Sequence, residues 1–274
     1  MKSFQGKVVA ITGAASGMGR ALAIAAAQRG AEVALCDVDM DGLERSAEIA
    51  GGFGRPLSTH AVDVADREAV VRFADDVVAR HGRVHAVFNN AGVSVTDMAE
   101  LMTFDDLEWL MGINFWGVVH GTRAFLPHLR RVDDAHIVNT SSVFGLIGVP
   151  TQSAYNAAKF AVRGYTEALQ QELAGSGVGV TSVLPGGVKT NIVNRSRYVM
   201  RENDAPTKEE MSAQFEQMAR LSPADAARKI CDGVEKGKKR VLVGTDAMML
   251  DWLVRLLPVG YQRLLAARGP RGRK

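Results

Sequence analysis

Residues 8–19 read Val-Val-Ala-Ile-Thr-Gly-Ala-Ala-Ser-Gly-Met-Gly, and this stretch decides the fold. Its first four residues form an apolar run typical of a buried parallel strand. Glycines follow at Gly13, Gly17 and Gly19, and a helix is predicted to begin at Gly17. A helix entered through such a turn points free N–H groups at its N-terminus, where they can bind a phosphate. The G-x-x-x-G-x-G spacing differs from the commoner G-x-G-x-x-G, so a plain turn is the alternative.

Strands and helices alternate through most of the chain. Apolar, β-rich runs predict strands at 7–12, 32–37, 57–62, 84–88, 135–140, 178–184 and 241–243. Segments of helical period lie between them at 17–29, 41–50, 66–80, 105–130, 153–173 and 223–236. Connections of this kind are right-handed and build a doubly wound sheet. We therefore predict an α/β fold with a parallel seven-stranded sheet and helices on both faces.

One domain is predicted over residues 1–245, followed by a C-terminal extension with a basic tail at 246–274. No linker rich in Pro, Gly or Ser divides the 274 residues. Residues 190–220 are polar, contain methionine and lack strand character, and they leave the carboxyl end of a strand, where such sheets bind ligands. We interpret them as a lid or a wall of the substrate pocket. Their apolar side chains could close over an apolar substrate, with core packing as the alternative; they are Met200, Met211, Phe215 and Met218.

Composition excludes several classes of protein. The chain is 47% hydrophobic and 23% charged, which is ordinary for a globular protein. Two cysteines, Cys36 and Cys231, give no support for a disulfide framework, and with no signal-peptide pattern we expect a cytoplasmic location. Uninterrupted apolar runs of membrane-spanning length are missing from the sequence. The six histidines lack zinc-ligand spacing, so we expect no metal.

The net charge of +3 is unevenly distributed, because 13 Lys or Arg and 5 Asp or Glu follow from Arg220 onward. A basic end can bind nucleic acid or an anionic membrane. A solvated basic end is the simpler interpretation, and we expect no nucleic-acid partner. Residues 247–265 mix apolar and basic side chains, so peripheral contact with anionic lipid is conceivable. Docking on a neighbouring subunit or over the substrate pocket is favoured.

Asp37 ends the second predicted strand, about twenty residues beyond the glycines. A carboxylate at this position can accept both ribose hydroxyls of an adenosine, and it would repel a 2′-phosphate. The pattern favours NAD over NADP, although Arg20 lies near enough in sequence to offer a positive charge. A turn or helix-capping role for Asp37 is the alternative.

Tyr155 and Lys159 lie four residues apart in a predicted helix and therefore project from one face. An ammonium beside a phenol stabilises the phenolate, which lowers the pKa of the phenol and suits it to proton exchange. Ser142 ends a strand thirteen residues upstream and can hydrogen-bond a substrate oxygen. Each of these residues alone is more often an ordinary surface, cap or turn residue.

Together these features resemble the short-chain dehydrogenases/reductases, in their short single-domain branch with a Rossmann sheet. The resemblance spans residue 7 to about residue 190. It rests on seven features in the family's order: Thr12-Gly13-x-x-x-Gly17-x-Gly19, Asp63-Val64, Asn89-Asn90-Ala91-Gly92, Asn114, Ser142, Tyr155-x-x-x-Lys159 and Pro185-Gly186-x-Val188-x-Thr190.

The resemblance implies a role for each matching residue. Ser142 would orient the substrate oxygen and Tyr155 would be the general acid or base. Lys159 would hold the nicotinamide ribose and lower the pKa of Tyr155, while Asn114 would anchor a water of the proton relay. The cofactor would be NAD, bound through Gly13, Ser16, Gly17, Met18, Gly19, Asp37, Asp63, Val64, Asn90, Ala91, Gly92, Tyr155, Lys159, Val188 and Thr190.

The resemblance also implies a homotetramer or homodimer, with the helices near 105–130 and 153–173 at one interface. The expected reaction interconverts a secondary alcohol and a ketone on an apolar substrate, such as a steroid or a lipid derivative. A cofactor-binding regulator or scaffold without turnover is one alternative. A methyltransferase is another, since it shares the glycine-rich turn and the strand-end acid but has no use for Tyr155 and Lys159.

Overall fold

The computed structural model describes residues 1–190, 192–193, 196–198 and 207–266. Its strands are β1 (Val8–Thr12), β2 (Glu32–Asp37), β3 (Leu57–Ala61), β4 (Ala86–Asn89), β5 (Val95–Thr96), β6 (Ala135–Thr140), β7 (Val178–Pro185), β8 (Arg197–Tyr198) and β9 (Arg240–Val243). Seven of them form one sheet in the order β3-β2-β1-β4-β6-β7-β9, and every pairing in it is parallel. The predicted seven-stranded, doubly wound sheet is confirmed.

The helices lie around this sheet: α1 (Gly17–Gln28), α2 (Met40–Gly51), α3 (Arg67–His81), α4 (Phe104–Met111), α5 (Gly117–Leu129), α6 (Ser153–Glu172), α7 (Lys208–Met218), α8 (Pro223–Glu235), α9 (Thr245–Leu256) and α10 (Tyr261–Ala266). A π-helical turn at Gly112–Trp116 joins α4 to α5, and a 3₁₀ turn at Val143–Gly145 follows β6.

Strand β1 shows why the sheet is covered on both faces. Its side chains alternate, so that Val9 and Ile11 join the core under α1, α2 and α8. Val8 and Ala10 join the core under α3, α5 and α6. A strand with period-two geometry and no polar face must bury both of its sides, which is the signature of a parallel sheet between two helical layers.

Two segments differ from the sequence prediction. The single helix expected at 105–130 is two α-helices joined by the π turn, so an extra residue is accommodated beside the site. Residues 190–220 were expected to lack strand character, yet Arg197–Tyr198 pairs in parallel with Val95–Thr96. Helix α7 follows, started by a capping box in which Thr207 and Glu210 each bond the other's backbone N–H. Met200 and the side chain of Met218 lie outside the described residues.

Cys36 and Cys231 are free and fully buried, one in β2 and the other in α8. Burial raises the pKa of both thiols, that of Cys231 to about 12. Within the described ranges, no group of three or more His, Cys, Asp or Glu is placed to hold a metal ion. Of the helices described, none has the length and apolarity to cross a membrane.

Candidate active site

The glycine-rich turn packs so closely that side chains cannot enter it. Gly13 has φ +66°, and a Cβ added there would lie 2.7 Å from the Cα of Ala91. A Cβ on Gly19 would strike the carbonyl oxygen of Gly13. Ser16 is the N-cap of α1, but its side chain makes no capping hydrogen bond. All residues of α1 are described, and none in its first turn is acidic. The positive end of α1 is therefore left for an anion.

Asp37 lies beside this turn and is held rigidly by backbone amides. Its Oδ2 accepts from the N–H of Ala15 at 2.9 Å, and its Oδ1 accepts from the N–H groups of Val38 at 2.8 Å and Asp39 at 3.1 Å. A carboxylate offers about four acceptor positions, so capacity for ribose hydroxyls remains. The sequence left Arg20 as a source of positive charge. Its guanidinium instead donates to the Ser46 hydroxyl and to the carbonyls of Ala15 and Gly42.

The turn after β4 is tied to the end of β1 by one threonine. The Thr12 hydroxyl accepts from the N–H groups of Asn90 and Ala91, both at 3.0 Å. The Asn90 amide nitrogen donates to the carbonyl of Thr12, whereas its Oδ1 is buried and has no partner among the described residues. Asp63 is exposed and its Oδ1 accepts from the N–H of Ala65, and the next residue, Val64, is buried.

Ser142, Tyr155 and Lys159 meet at the carboxyl edge of the sheet, where the sequence predicted them. The Ser142 side chain lies close enough to the Tyr155 hydroxyl to lower its pKa as a hydrogen-bonding neighbour. Lys159 Nζ donates to the carbonyl oxygen of Thr140 at 3.0 Å and lies 5.6 Å from the centre of the Tyr155 ring. Ser142 follows β6 as the N-cap of the 3₁₀ turn, while helix α6 presents the other two from one face, so this turn and the helix together build the cluster.

Burial dominates the proton affinities of this cluster. It raises the pKa of Tyr155 to about 12, although the neighbouring Ser142 side chain acts in the opposite direction. Burial also lowers the pKa of Lys159 to about 8. The sequence led us to expect a phenol pKa drawn downward by Lys159. The structure gives the opposite direction because desolvation disfavours the charged form of both groups.

Asn114 lies in the π turn and is fully buried beside the cluster. Its Oδ1 accepts from the N–H of Val93 and its Nδ2 donates to the carbonyl of the same residue, each at 2.8 Å. A Cβ on Gly92 would lie 3.3 Å from Asn114 Oδ1 and 3.5 Å from Lys159 Nζ. Gly92 therefore adjoins both polar side chains, and the water-anchoring role of Asn114 stays a prediction.

The segment after β7 closes the opposite side of the turn. Val188 is buried and bridges in parallel to Leu221, and Thr190 lies 3.3 Å from the place of a Cβ on Gly17. Asp246, in the first turn of α9, accepts from the N–H of Gly187 at 2.6 Å. An open cavity of about 570 Å³ separates residues 189–190 from α7. The C-terminal extension thus holds part of the predicted cofactor site.

Two positioning residues were missed by the sequence reasoning. Asn156 fastens the loop after the 3₁₀ turn, because its amide donates to the carbonyls of Phe144 and Ile147 and accepts from the N–H of Val149. From the other side, the buried Tyr261 accepts at its hydroxyl from the N–H of Gly148 at 3.2 Å. Phe144, in the 3₁₀ turn just before that loop, meets the Tyr155 ring edge-on, with 5.9 Å between centroids. Asn156 lies inside the quoted Tyr155–Lys159 motif, whereas no sequence signal points to Tyr261.

The residues present fit a dinucleotide. The positive end of α1 faces the glycine-rich turn, a fixed carboxylate lies at the end of β2, and the buried Asn90 Oδ1 accepts no hydrogen bond from the described part of the chain. A doubly wound sheet with these features and a Ser-Tyr-Lys cluster defines a class of dinucleotide-binding α/β proteins that transfer hydride.

Comparison with known proteins gives the family. The short chain dehydrogenase family model matches residues 7–200, and the chain belongs to this family of oxidoreductases. SadH of Mycobacterium tuberculosis, a protein named as an oxidoreductase, is 50% identical over 271 residues, which cover 97% of this chain and 96% of SadH.

Two solved structures share the fold. A short chain dehydrogenase/reductase from Burkholderia phymatum in complex with NAD is 31% identical, with a TM-score of 0.83 over 100% of this chain and 99% of that one. An alcohol dehydrogenase from Thermococcus sibiricus complexed with 5-hydroxy-NADP is 27% identical, with a TM-score of 0.73 over 86% and 94%. These relatives hold different dinucleotides, so the choice of cofactor depends on the chain's own residues.

Proposed function

We propose that this protein interconverts a secondary alcohol and a ketone with NAD(H) as the hydride carrier and Tyr155 as the acid/base group. The observation that carries the proposal is the meeting of Ser142, Tyr155 and Lys159 at the carboxyl edge next to the glycine-rich turn. That edge is where ligands of doubly wound sheets bind.

The chain's own groups supply the proton and the orientation. A bound nicotinamide accepts or donates the hydride. Ser142 can hydrogen-bond the substrate oxygen, and the Tyr155 hydroxyl can give it a proton during reduction or take one during oxidation. Lys159 keeps a positive charge near the phenol whenever it is protonated, which favours the anion that oxidation requires.

NAD is the proposed cofactor because Asp37 presents a fixed negative charge and Arg20 is engaged elsewhere. A 2′-phosphate at Asp37 would meet like charge in a partly desolvated site. With the guanidinium of Arg20 bound to Ser46 and to two carbonyls, it cannot neutralise that phosphate without losing these bonds.

An apolar substrate, steroid-like or derived from lipid, is proposed from the walls around Tyr155. The loop beside it supplies a small apolar cluster of Phe144, Leu146, Ile147 and Val149. Half-buried Met211 and Phe215 of α7 are the described apolar side chains of the proposed lid. The apolar side chains of this loop cannot satisfy the hydroxyls of a small polyol.

For the assembly we propose a homotetramer or homodimer through α4–α5 and α6, with no nucleic-acid partner. Trp116, in the π turn between α4 and α5, and Phe160 of α6 have 51% and 42% of their surface exposed, and burial of such side chains favours association. Light scattering of the purified protein measures the subunit number, and a monomer at micromolar concentration would contradict this proposal.

The function is tested with Tyr155→Phe. Removing the exchangeable proton should lower kcat for apolar ketones by roughly 10²–10⁴-fold and leave the affinity for NADH, followed by nicotinamide fluorescence, unchanged. Full activity of the variant would remove Tyr155 from its role. Wild-type protein that binds NADH but turns over no alcohol or ketone of graded size would support a scaffold instead. Equal turnover of polyols and apolar ketones would refute the substrate class.

A further inference from the structure

Helix α9 leaves a broad apolar face uncovered. Met249, Trp252 and Leu256 follow one another at three- and four-residue intervals and therefore share one side of the helix. Their exposed fractions are 72%, 65% and 71%, and Val259 in the following turn is 73% exposed. We call these four residues the α9 patch. A contiguous apolar surface of this kind is typical of a binding site.

The opposite side of α9 is already packed. Ala247 is fully buried, and Leu250, Leu253 and Val254 pack with Tyr261 against the loop at Leu146 and Ile147. The sequence favoured docking of this segment on a neighbouring subunit or over the substrate pocket, and the contacts with Leu146 and Ile147 concern only the inner face of α9. These contacts leave the α9 patch without a partner in the described part of the chain.

The sequence at and after the α9 patch is rich in positive charge. Arg255 and Arg263 are exposed, and residues 252–274 contain six Lys or Arg and no Asp or Glu. The acid nearest the patch on α9, Asp251, is mostly buried and paired with Arg240 and Arg255. An apolar strip with a tryptophan and a basic surround complements a surface that is apolar inside and negative outside.

We propose that the α9 patch docks on a lipid bilayer that contains anionic headgroups, with α9 lying in the interfacial plane. Residues 245–256 make a helix of 12 residues, far too short to span a bilayer. Trp252 suits the headgroup level, while the arginines attract anionic lipid. A second copy of the chain fits less well, because a symmetric contact would bring the same cations together.

Docking would place the substrate side of the site near the membrane. Tyr261 follows the patch directly and bonds Gly148 in the loop that touches Tyr155 through Phe144. This inference rests on the proposed function: an apolar substrate could pass from the bilayer to Tyr155 without crossing water. Membrane binding itself needs no turnover, so the two proposals fail separately.

The test is vesicle flotation of the full chain. We compare wild type with the combined variant Met249→Ser, Trp252→Ser and Leu256→Ser, using phosphatidylcholine vesicles with and without phosphatidylglycerol. A matched control, Ile49→Ser with Phe53→Ser, removes exposed apolar side chains from α2 and the turn after it. Point variants replace truncation because Asp246 and Tyr261 support the site.

Wild type and the control should float with the anionic vesicles, less so at high salt, and the patch variant should bind at least tenfold more weakly. Unchanged NADH binding and thermal melting show that the variants are folded. Equal flotation of the patch variant, or no flotation of wild type, would overturn the proposal. A smaller assembly of the patch variant, with no vesicle binding by wild type, would assign the patch to a second copy of the chain.

Discussion

Tyr155 is a proton donor before it is a base. Burial raises its pKa to about 12, so its hydroxyl is neutral at physiological pH. A neutral phenol can protonate a carbonyl oxygen at once, whereas alcohol oxidation needs the scarce phenolate. Lys159, with its pKa lowered to about 8, is still mostly protonated at neutral pH. Its positive charge favours the phenolate of Tyr155 and so limits how far the phenol is favoured.

This protonation state predicts different pH profiles for the two directions. Between about pH 6 and pH 8, kcat for alcohol oxidation should rise nearly tenfold per unit, because the phenolate fraction does so below the pKa. Ketone reduction should change little in this range. Steady-state rates with one alcohol/ketone pair in both directions measure the effect. A flat oxidation profile with chemistry rate-limiting would contradict the high pKa.

The charge of Asp37 is expected to determine the preference for NADH over NADPH. Asp37→Asn keeps an oxygen for the backbone N–H groups and removes the charge, so NADPH should gain on NADH by roughly tenfold, or about 1.4 kcal/mol. Kd values for both dinucleotides by fluorescence titration give the ratio. Asp41→Asn makes the same charge change on the exposed first turn of α2 and should leave the ratio unaltered. Equal shifts of the NADPH/NADH affinity ratio in both variants would indicate a long-range electrostatic effect and would refute a direct contact between Asp37 and the cofactor.

Residue identities at the site were largely predictable, whereas their proton affinities were not. Four-residue spacing brings Tyr155 and Lys159 to one helix face, and Ser142 and Asp37 lie at the carboxyl edge of the sheet, so the placement of these residues follows from the sequence. Their roles came from the family resemblance. The pKa shifts depend on how much of the surrounding chain excludes water. That quantity arises only when distant segments pack together.

At the level of elements, the loop after the 3₁₀ turn is held from two sides. Asn156 of α6 binds it from within the motif and Tyr261 of α10 binds it from the C-terminal extension. A loop with fixed ends and apolar side chains can select substrates by shape. Substrate choice therefore involves α10 as well as the lid.

Tyr261→Phe removes only the hydroxyl that accepts from Gly148. We expect KM for an apolar ketone to rise about two- to tenfold, the equivalent of one ordinary hydrogen bond, while the affinity for NADH stays constant. Steady-state kinetics with NADH titration separates the two effects. Tyr165→Phe removes the hydroxyl of a half-buried tyrosine of α6 that lies near Thr122, away from this loop, and serves as the matched control. A KM unchanged by Tyr261→Phe would show that the hydrogen bond from the N–H of Gly148 to Tyr261 does not contribute to substrate binding.

The elements that the sequence missed are short or locally encoded. Two-residue strands such as β5 and β8 have no periodicity to detect and exist only because they pair with each other. Arg197 is fixed there by an ion pair with Asp106 and by the Trp109 ring, which come from a distant helix. The capping box at Thr207 and Glu210, by contrast, was visible in the sequence and could have revealed α7.

On the scale of the whole molecule, the two-faced sheet buries polar groups as well as apolar ones. His85 has only 7% of its surface exposed, next to β4, and its Nδ1 accepts from the N–H of Val8 at 3.0 Å. Burial lowers its pKa to about 4, with Lys7 and Arg83 adding to the effect. Its neutral form is required in the folded state, whereas the unfolded chain takes up a proton near pH 6.5.

Stability should therefore fall as pH drops from about 6.5 to about 4, where the unfolded state binds the extra proton. In His85→Asn the amide oxygen replaces the acceptor at Nδ1 without titrating. The loss of unfolding free energy between pH 7 and pH 4 should shrink by roughly 2 kcal/mol, which allows for partial access of water to the ring. Urea unfolding at both pH values measures it. An identical acid-induced loss in the variant would exclude His85.

The topology followed from the sequence because alternating strands and helices leave few connections. Parallel strands need crossovers, crossovers are right-handed, and apolar strands need cover on both faces, which together give the doubly wound sheet. The way α9 and α10 fold back was not predictable, since it depends on contacts such as Asp246 with Gly187 that join positions far apart in sequence.

The buried cysteines make this protein convenient for spectroscopy. Cys36 and Cys231 are the only two thiols of the chain, and both are shielded and protonated at neutral pH. A maleimide dye would not react with these buried thiols and would label a newly introduced surface thiol, such as that of Met249→Cys. Environment-sensitive fluorescence from one site could then follow the behaviour of α9 in real time, with both natural cysteines left in place.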